Sequence, residues 1–278
     1  MRNDAAAAAG RVDMRIWFGF RRLPFSQEVK ADEMFLRPCM EEVCDRVAFA
    51  AQQGLMFAVI GDVGAEKSTA LRYTFSRLPK KQYSVLQMTG GSWSFTELLR
   101  SCSNSMNVYT RTSQQTMMLK QIADGYASIR ESGATPLLFI DEAHLFQQDV
   151  FRQLHLLAQP FPTSRVVPVV MCGQESLIDK LYDPFCKPLM SRIIDGYNIH
   201  AMGIEEYRNY MKHQVEVIGG AQDVFDDAAL TVIHQSTAGL PRRVNETALL
   251  ALKEAMDRGA HTVTADMVRL VSKKWWEK

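Results

Sequence analysis

Residues 57–72 read FAVIGDVGAEKSTALR. An apolar run, Phe57 to Ile60, stops at a glycine, and Gly61-Asp62-Val63-Gly64-Ala65-Glu66-Lys67-Ser68-Thr69 leads from it into a helix-forming segment that ends before Pro79. A strand that turns through glycines into a helix is the setting of the phosphate loop, G-x-x-x-x-G-K-[ST]. Gly61, Lys67 and Ser68 fit that pattern, but Glu66 stands where its second glycine belongs. Backbone N–H groups of such a loop and of the helix start cradle phosphate oxygens. Lys67 would reach the β- and γ-phosphates, and Ser68 would ligate Mg²⁺. Glu66 opposes this in two ways. If the position requires φ > 0, a side chain there costs roughly 1–2 kcal/mol. Its carboxylate also adds negative charge beside the triphosphate. Taken alone, the segment is either a nucleotide site or a glycine-rich strand–helix turn.

Further along, Leu137-Leu138-Phe139-Ile140 runs directly into Asp141-Glu142. A buried strand that delivers carboxylates at its C-terminal end puts them where open α/β sheets bind ligands. Asp141 would hold Mg²⁺, directly or through water, and Glu142 would act as general base on the attacking water. The alternative is an ordinary acidic helix start. The order and spacing of this pair after residues 61–69 favour a nucleotide site.

Around these two segments the apolar pattern predicts strands at 55–61, 83–88, 137–140, 166–173 and 194–202. Helices are expected at 38–53, 67–78, 94–105, 112–131, 149–158 and 174–183. Pro168 inside the fourth strand weakens that assignment. Alternating strands and helices predict a parallel sheet covered on both faces. Past residue 203 only helices are expected, at 204–217, 226–237, 241–258 and 264–274. Residues 1–13 read as a disordered leader, with Met14 as another possible start. Residues 14–30 read as an ordered, non-helical arm. The expected division is therefore 1–13, an α/β core with its arm at 14–202, and a helical domain at 203–278.

Composition adds exclusions. The 278 residues carry 32 Lys and Arg against 31 Asp and Glu, a net charge of +1, and 47% are hydrophobic. That is a globular, not a disordered, chain. The five cysteines, Cys39, Cys44, Cys102, Cys172 and Cys186, form no C-x-x-C pair, so neither a zinc ribbon nor a disulfide framework is indicated. They fit a reducing cytoplasm. No apolar run approaches the ~18 residues of a membrane span, and no metal spacing appears among the histidines. Asp141-Glu142-Ala143-His144 spells a helicase motif, but the further motifs and second sheet of a helicase have no room here. His144 reads as a helix-N-terminal residue.

The whole set resembles an AAA+ ATPase, and more narrowly the ExeA-like (GspA-type) ATPases and the TniB/TnsC transposition ATPases. The matching pieces, in the order of that group, are FGFRRLPFS (18–26), FAVIGDVGAEKSTALR (57–72), LLFIDEAHLF (137–146), VVMCGQESL (169–177), LMSRI (189–193) and GLPRRVNETALLAL (239–252). The resemblance implies a P-loop NTPase fold: a parallel five-stranded sheet of order 5-1-4-3-2 with a C-terminal helical lid. It implies ATP and Mg²⁺ as cofactors, bound by residues 61–69, with Ser68 and Asp141 on the metal and Glu142 activating water. Gln174 resembles the sensor of the γ-phosphate. Arg192 resembles the arginine finger offered to a neighbouring subunit. Arg242, or alternatively Arg243, resembles the lid arginine that touches the nucleotide. The aromatic arm, Phe18 to Phe25, resembles a segment near the adenine, or else is plain core packing.

The same resemblance implies a homo-oligomer, a ring or filament. Secretion-type members carry a membrane segment and an extra domain beyond the lid. The sequence ends at Lys278 with neither, which points to a cytoplasmic ATPase that binds double-stranded DNA and partners a transposase in target selection. Over 201–278 there are 10 basic and 11 acidic residues. DNA contacts would then come from local clusters such as Arg21-Arg22, Lys80-Lys81 and Lys273-Lys274 beside Trp275-Trp276. The alternatives are a nucleotide-impaired scaffold, on account of Glu66, and an ATPase that assists a secretion machine.

Overall fold

A computed structural model of the chain describes residues 13–25, 33–160, 166–221 and 223–272. The expected leader (1–13), apart from its last residue, and the Lys-Lys-Trp-Trp cluster lie outside them. The described residues divide into two units, one formed by residues 37–200 and the other by the segments on either side of it.

In the 37–200 unit, β1 (Met56–Gly61), β2 (Tyr83–Thr89), β3 (Thr135–Asp141), β4 (Val169–Gly173) and β5 (Ile193–Ile199) form one sheet of order β2-β3-β4-β1-β5, parallel throughout. This is the expected order read from its other edge. Side chains alternate across a strand. Met56, Leu86, Met88, Leu138, Ile140, Val169 and Met171 accordingly join one core with α4 (Phe95–Ser105), α5 (Gln115–Glu131) and α6 (Gln148–Ala158). The opposite face carries α2 (Pro38–Gln53) and α3 (Lys67–Arg77), where Phe75 of α3 meets Phe139 of β3 at 4.9 Å between ring centroids. Two short helices, α7 (Ser176–Leu181) and α8 (Lys187–Met190), link β4 to β5. A sheet covered on both faces explains why β1 and β4 are buried at every position. β4 begins at Val169, later than expected, because Pro168 has no N–H for the ladder and supplies only its carbonyl, to Leu138 N.

The second unit is helical: α1 (Met14–Phe18), α9 (Ile204–Val217), α10 (Asp227–Thr237), α11 (Pro241–Asp257) and α12 (Ala265–Ser272). Two expectations are corrected here. The arm contains a short helix: the Asp13 side chain caps it by accepting from Arg15 N, and Gly19 closes it at φ 70°. The arm also belongs with the helical unit and not with the α/β core. Phe18, Phe20 and Phe25 are buried among Tyr207, Met211 and Phe225, while Trp17 stacks on His261 and donates from Nε1 to Ala260 O at 3.0 Å.

Candidate nucleotide site

The site is built at the C-terminal ends of β1, β3 and β4. β1 ends at Gly61, and the chain turns into α3 through residues 62–66. Gly64 takes φ 85° and Glu66 takes φ 64°, so the position that normally carries glycine adopts the left-handed conformation with a full side chain. The loop keeps its form by other bonds. Ala65 N donates to Asp62 O at 3.2 Å, and Glu66 O accepts from Thr69 N and Ala70 N. Arg37, 3% exposed, donates to Ala65 O at 3.3 Å and to His200 O at 2.9 Å, which pins the loop to the end of β5. Asp62 and Val63 are exposed at the tip.

Lys67 is buried, and its Nζ donates to Gly61 O and Asp62 O, both at 2.9 Å. Its ammonium therefore lies under the loop. Ser68, one residue on, donates from Oγ to Asp141 Oδ2 at 2.9 Å. A hydroxyl and a carboxylate oxygen at that separation are an oxygen-only donor pair, which suits a hard divalent cation. Thr69 points elsewhere, its Oγ1 accepting from Arg72 at 3.4 Å. Cys172, at the end of β4, is buried beside this pair. Burial first, and then the Asp141 charge, push its thiol well up.

Asp141 Oδ1 accepts from Glu142 N at 2.9 Å, which orients the aspartate from its own backbone. Glu142 has φ 51°, and its side chain is 38% exposed. The turn is boxed in by two glycines. A Cβ at Gly90 would lie 2.2 Å from Glu142 O, and one at Gly173 would lie 3.2 Å from His144 N. Neither position tolerates a larger residue without moving this turn. His144 is the second residue of a short 3-10 helix, Ala143–Leu145, and it is buried. Lys180 of α7 donates to His144 O and Phe146 O, at 2.5 Å each.

Lys67, Ser68, Asp141 and Glu142 are thus brought together within one unit, with Gln174 just past β4. Arg192, before β5, donates to Pro188 O and Gln159 Oε1 of its own chain. Arg242 and Arg243 are exposed at the start of α11 in the helical unit, where Arg243 donates to Ser236 O at 3.3 Å. Arg37, Gly90, Gly173 and Lys180 escaped sequence reasoning, because their partners lie far along the chain. Among the described residues no helix is long and apolar enough to cross a membrane, and no group of three or more His, Cys, Asp or Glu side chains is placed to hold a metal ion.

Comparison with known proteins agrees with this fold. Residues 50–181 match the family described as AAA domain. General secretion pathway protein A of Aeromonas hydrophila is 24% identical over 259 residues, which cover 92% of this chain and 47% of that protein, so the chain spans about half the length of this curated relative. Among solved structures, the Aeropyrum pernix ORC2 protein in its ADPNP–ADP complexes is similar with a TM-score of 0.66 and 14% identity, over 89% of this chain and 70% of that one. Cdc6p of Pyrobaculum aerophilum gives 0.68 and 15%, over 89% and 69%. Drosophila ORC bound to DNA gives 0.62 and 15%, over 94% and 64%. The strand order, the loop from β1 into α3 and these likenesses agree: the chain has the P-loop fold of the AAA+ ATPases.

Proposed function

We propose that this chain binds ATP with Mg²⁺ at residues 61–69 and hydrolyses it to ADP and phosphate. The observation that carries the reading is the convergence of Lys67, Ser68, Asp141 and Glu142 at the ends of β1 and β3. Mg²⁺, held by Ser68 and Asp141, would supply positive charge to the phosphates. Lys67 exchanges the carbonyls of Gly61 and Asp62 for phosphate oxygens. Glu142 takes the proton of the attacking water. Gln174 senses the γ-phosphate, and Arg192 reaches a neighbouring subunit's nucleotide after releasing Pro188 O and Gln159. Arg242 or Arg243 keeps, on this reading, the nucleotide-touching role that the resemblance implies. Arginine suits these roles because its planar fork stays charged and matches phosphate oxygens.

On this reading the chain works in the cytoplasm as a homo-oligomer, a ring or filament, on double-stranded DNA, with a transposase as partner. The likeness to a DNA-bound ORC structure supports the DNA contact, and the resemblance to the TniB/TnsC group supports the transposase. A second reading, an ATPase assisting a secretion machine, draws on the General secretion pathway protein A relative. A third, a nucleotide-impaired scaffold, draws on Glu66 at φ 64°.

The test is ATP turnover by native and Glu142→Gln chains, with and without duplex DNA, with particle size measured in the same samples. Turnover that rises with DNA, and falls about 10²–10⁴-fold in the variant while nucleotide affinity holds, is expected. Turnover indifferent to DNA favours the secretion reading. No nucleotide binding favours the scaffold.

A further inference from the structure

His144 follows Glu142 by two residues and is 8% exposed. Its Nε2 faces Glu142 Oε2 across 3.7 Å. Its Nδ1 is buried and has no hydrogen-bond partner among the described residues. A buried polar atom without a partner is uncommon and calls for an explanation. An apolar side chain would strand no nitrogen here, so the groups that the imidazole faces bear on why a histidine stands at this place. The tautomer that fits carries its hydrogen on Nε2. It aims a donor at the carboxylate and leaves Nδ1 as a bare acceptor.

The frame around the pair is fixed from several sides. Lys180 holds the carbonyls of His144 and Phe146, Gly173 backs onto His144 N, and Gly90 backs onto Glu142 O. The backbone of the turn is therefore set, and the Nε2–Oε2 distance depends on side-chain rotation alone. Glu142 has room to rotate, being 38% exposed, and a small rotation brings 3.7 Å to hydrogen-bond length.

We propose that His144 is a positioning residue for Glu142: its Nε2–H holds Oε2 and leaves Oε1 as the oxygen that receives the proton of the attacking water. The inference rests on the reading of Glu142 as general base. In the step it serves, a water O–H bond breaks and its proton passes to Oε1. The water oxygen bonds to the γ-phosphorus, and the bond to the bridging oxygen breaks with its electron pair leaving on ADP. His144 takes no part in these bond changes. Its contribution is to narrow the orientations that the carboxylate samples.

His144→Gln and His144→Asn, made in the full chain, separate this from a structural role. A glutamine amide extends as far as Nε2, whereas an asparagine amide reaches only the place of Nδ1. The Gln variant is expected to keep kcat within about 3-fold of native and the Asn variant to lose about 10-fold or more, with nucleotide Kd and Tm alike in both. Adding His144→Asn to Glu142→Gln is expected to change turnover no further. Should the Asn variant unfold, His144→Phe fills the ring's volume and is expected to show the same loss. Equal kcat in the Gln and Asn variants, or native kcat in a folded Phe variant, overturns the proposal while an inactive Glu142→Gln leaves the reading of Glu142 standing. Native turnover in Glu142→Gln, or none in the native chain, overturns that reading and this proposal with it.

Discussion

Ser68 Oγ donates to Asp141 Oδ2 over 2.9 Å, tying the first turn of α3 to the end of β3. The two groups come from segments 73 residues apart in the chain. Each is well placed to share one cation with the other.

Ser68→Ala is expected to weaken nucleotide binding about 10-fold in the presence of Mg²⁺, since one interaction with a charged group is worth about 1.5–3 kcal/mol. Without Mg²⁺ the variant and the native chain should bind alike. Titration with a fluorescent nucleotide, with and without EDTA, checks both halves.

Glu66 holds φ 64° with a side chain. Glu66→Gly relieves a left-handed strain of roughly 1–2 kcal/mol and returns part of it as extra freedom in the unfolded chain. A net gain of about 0.5–1 kcal/mol is expected, raising Tm by about 1–3 °C for a chain of this size. Nucleotide affinity should rise in the same variant, because a carboxylate leaves the phosphate loop. A variant that melts lower and binds no better would contradict both arguments.

Arg37→Met keeps the buried stem but removes the donors to Ala65 O and His200 O. One buried carbonyl and one at the surface lose a charged partner, at a cost of roughly 1–3 kcal/mol. Arg37→Lys should recover only part of this, because one ammonium does not reproduce the two-pronged fork. Urea denaturation of the three chains reads the order directly.

The cysteines offer a check on the core. Cys102, Cys172 and Cys186 are buried, while Cys39 and Cys44 are half-buried. Burial pushes the Cys102 thiol up to about 12, and the same cause raises Cys172, Cys186 and, with the Asp45 charge added, Cys44. Only the thiolate reacts. At pH 8 a thiol reagent is expected to modify Cys39 first and Cys44 more slowly, and the other three only after denaturation. Mass spectrometry of partly labelled chain decides it, and early labelling of Cys172 would place that thiol outside the core.

Much of this was legible in the sequence where the determinants are local. The run Phe57 to Gly61 followed by Lys67-Ser68, and Leu137 to Glu142, placed both strands and both carboxylates, because period and punctuation act over a few residues. Gly54 and Pro79 marked helix ends for the same reason. What stayed hidden acts over long separations. Nothing near Arg37 announces that its guanidinium meets His200, 163 residues on. Phe18 and Phe20 look apolar in any context, so their sequence says that they are buried but not in which unit. His144 looked like an unremarkable helix-start residue, because its geometry depends on a glycine at 173 and a lysine at 180.

The helical unit is assembled from both sides of the α/β unit, and Trp17 Nε1 bonds to Ala260 O across 243 residues of chain. During synthesis the arm therefore emerges long before the helices that bury it. Phe18, Phe20 and Phe25 stay exposed on the ribosome while the whole sheet is being made. Closing so long a loop adds little to its equilibrium cost, since that cost grows only with the logarithm of length. It does delay the closing contact until the last helices are made, which leaves three phenylalanines to be kept from wrong partners in the meantime.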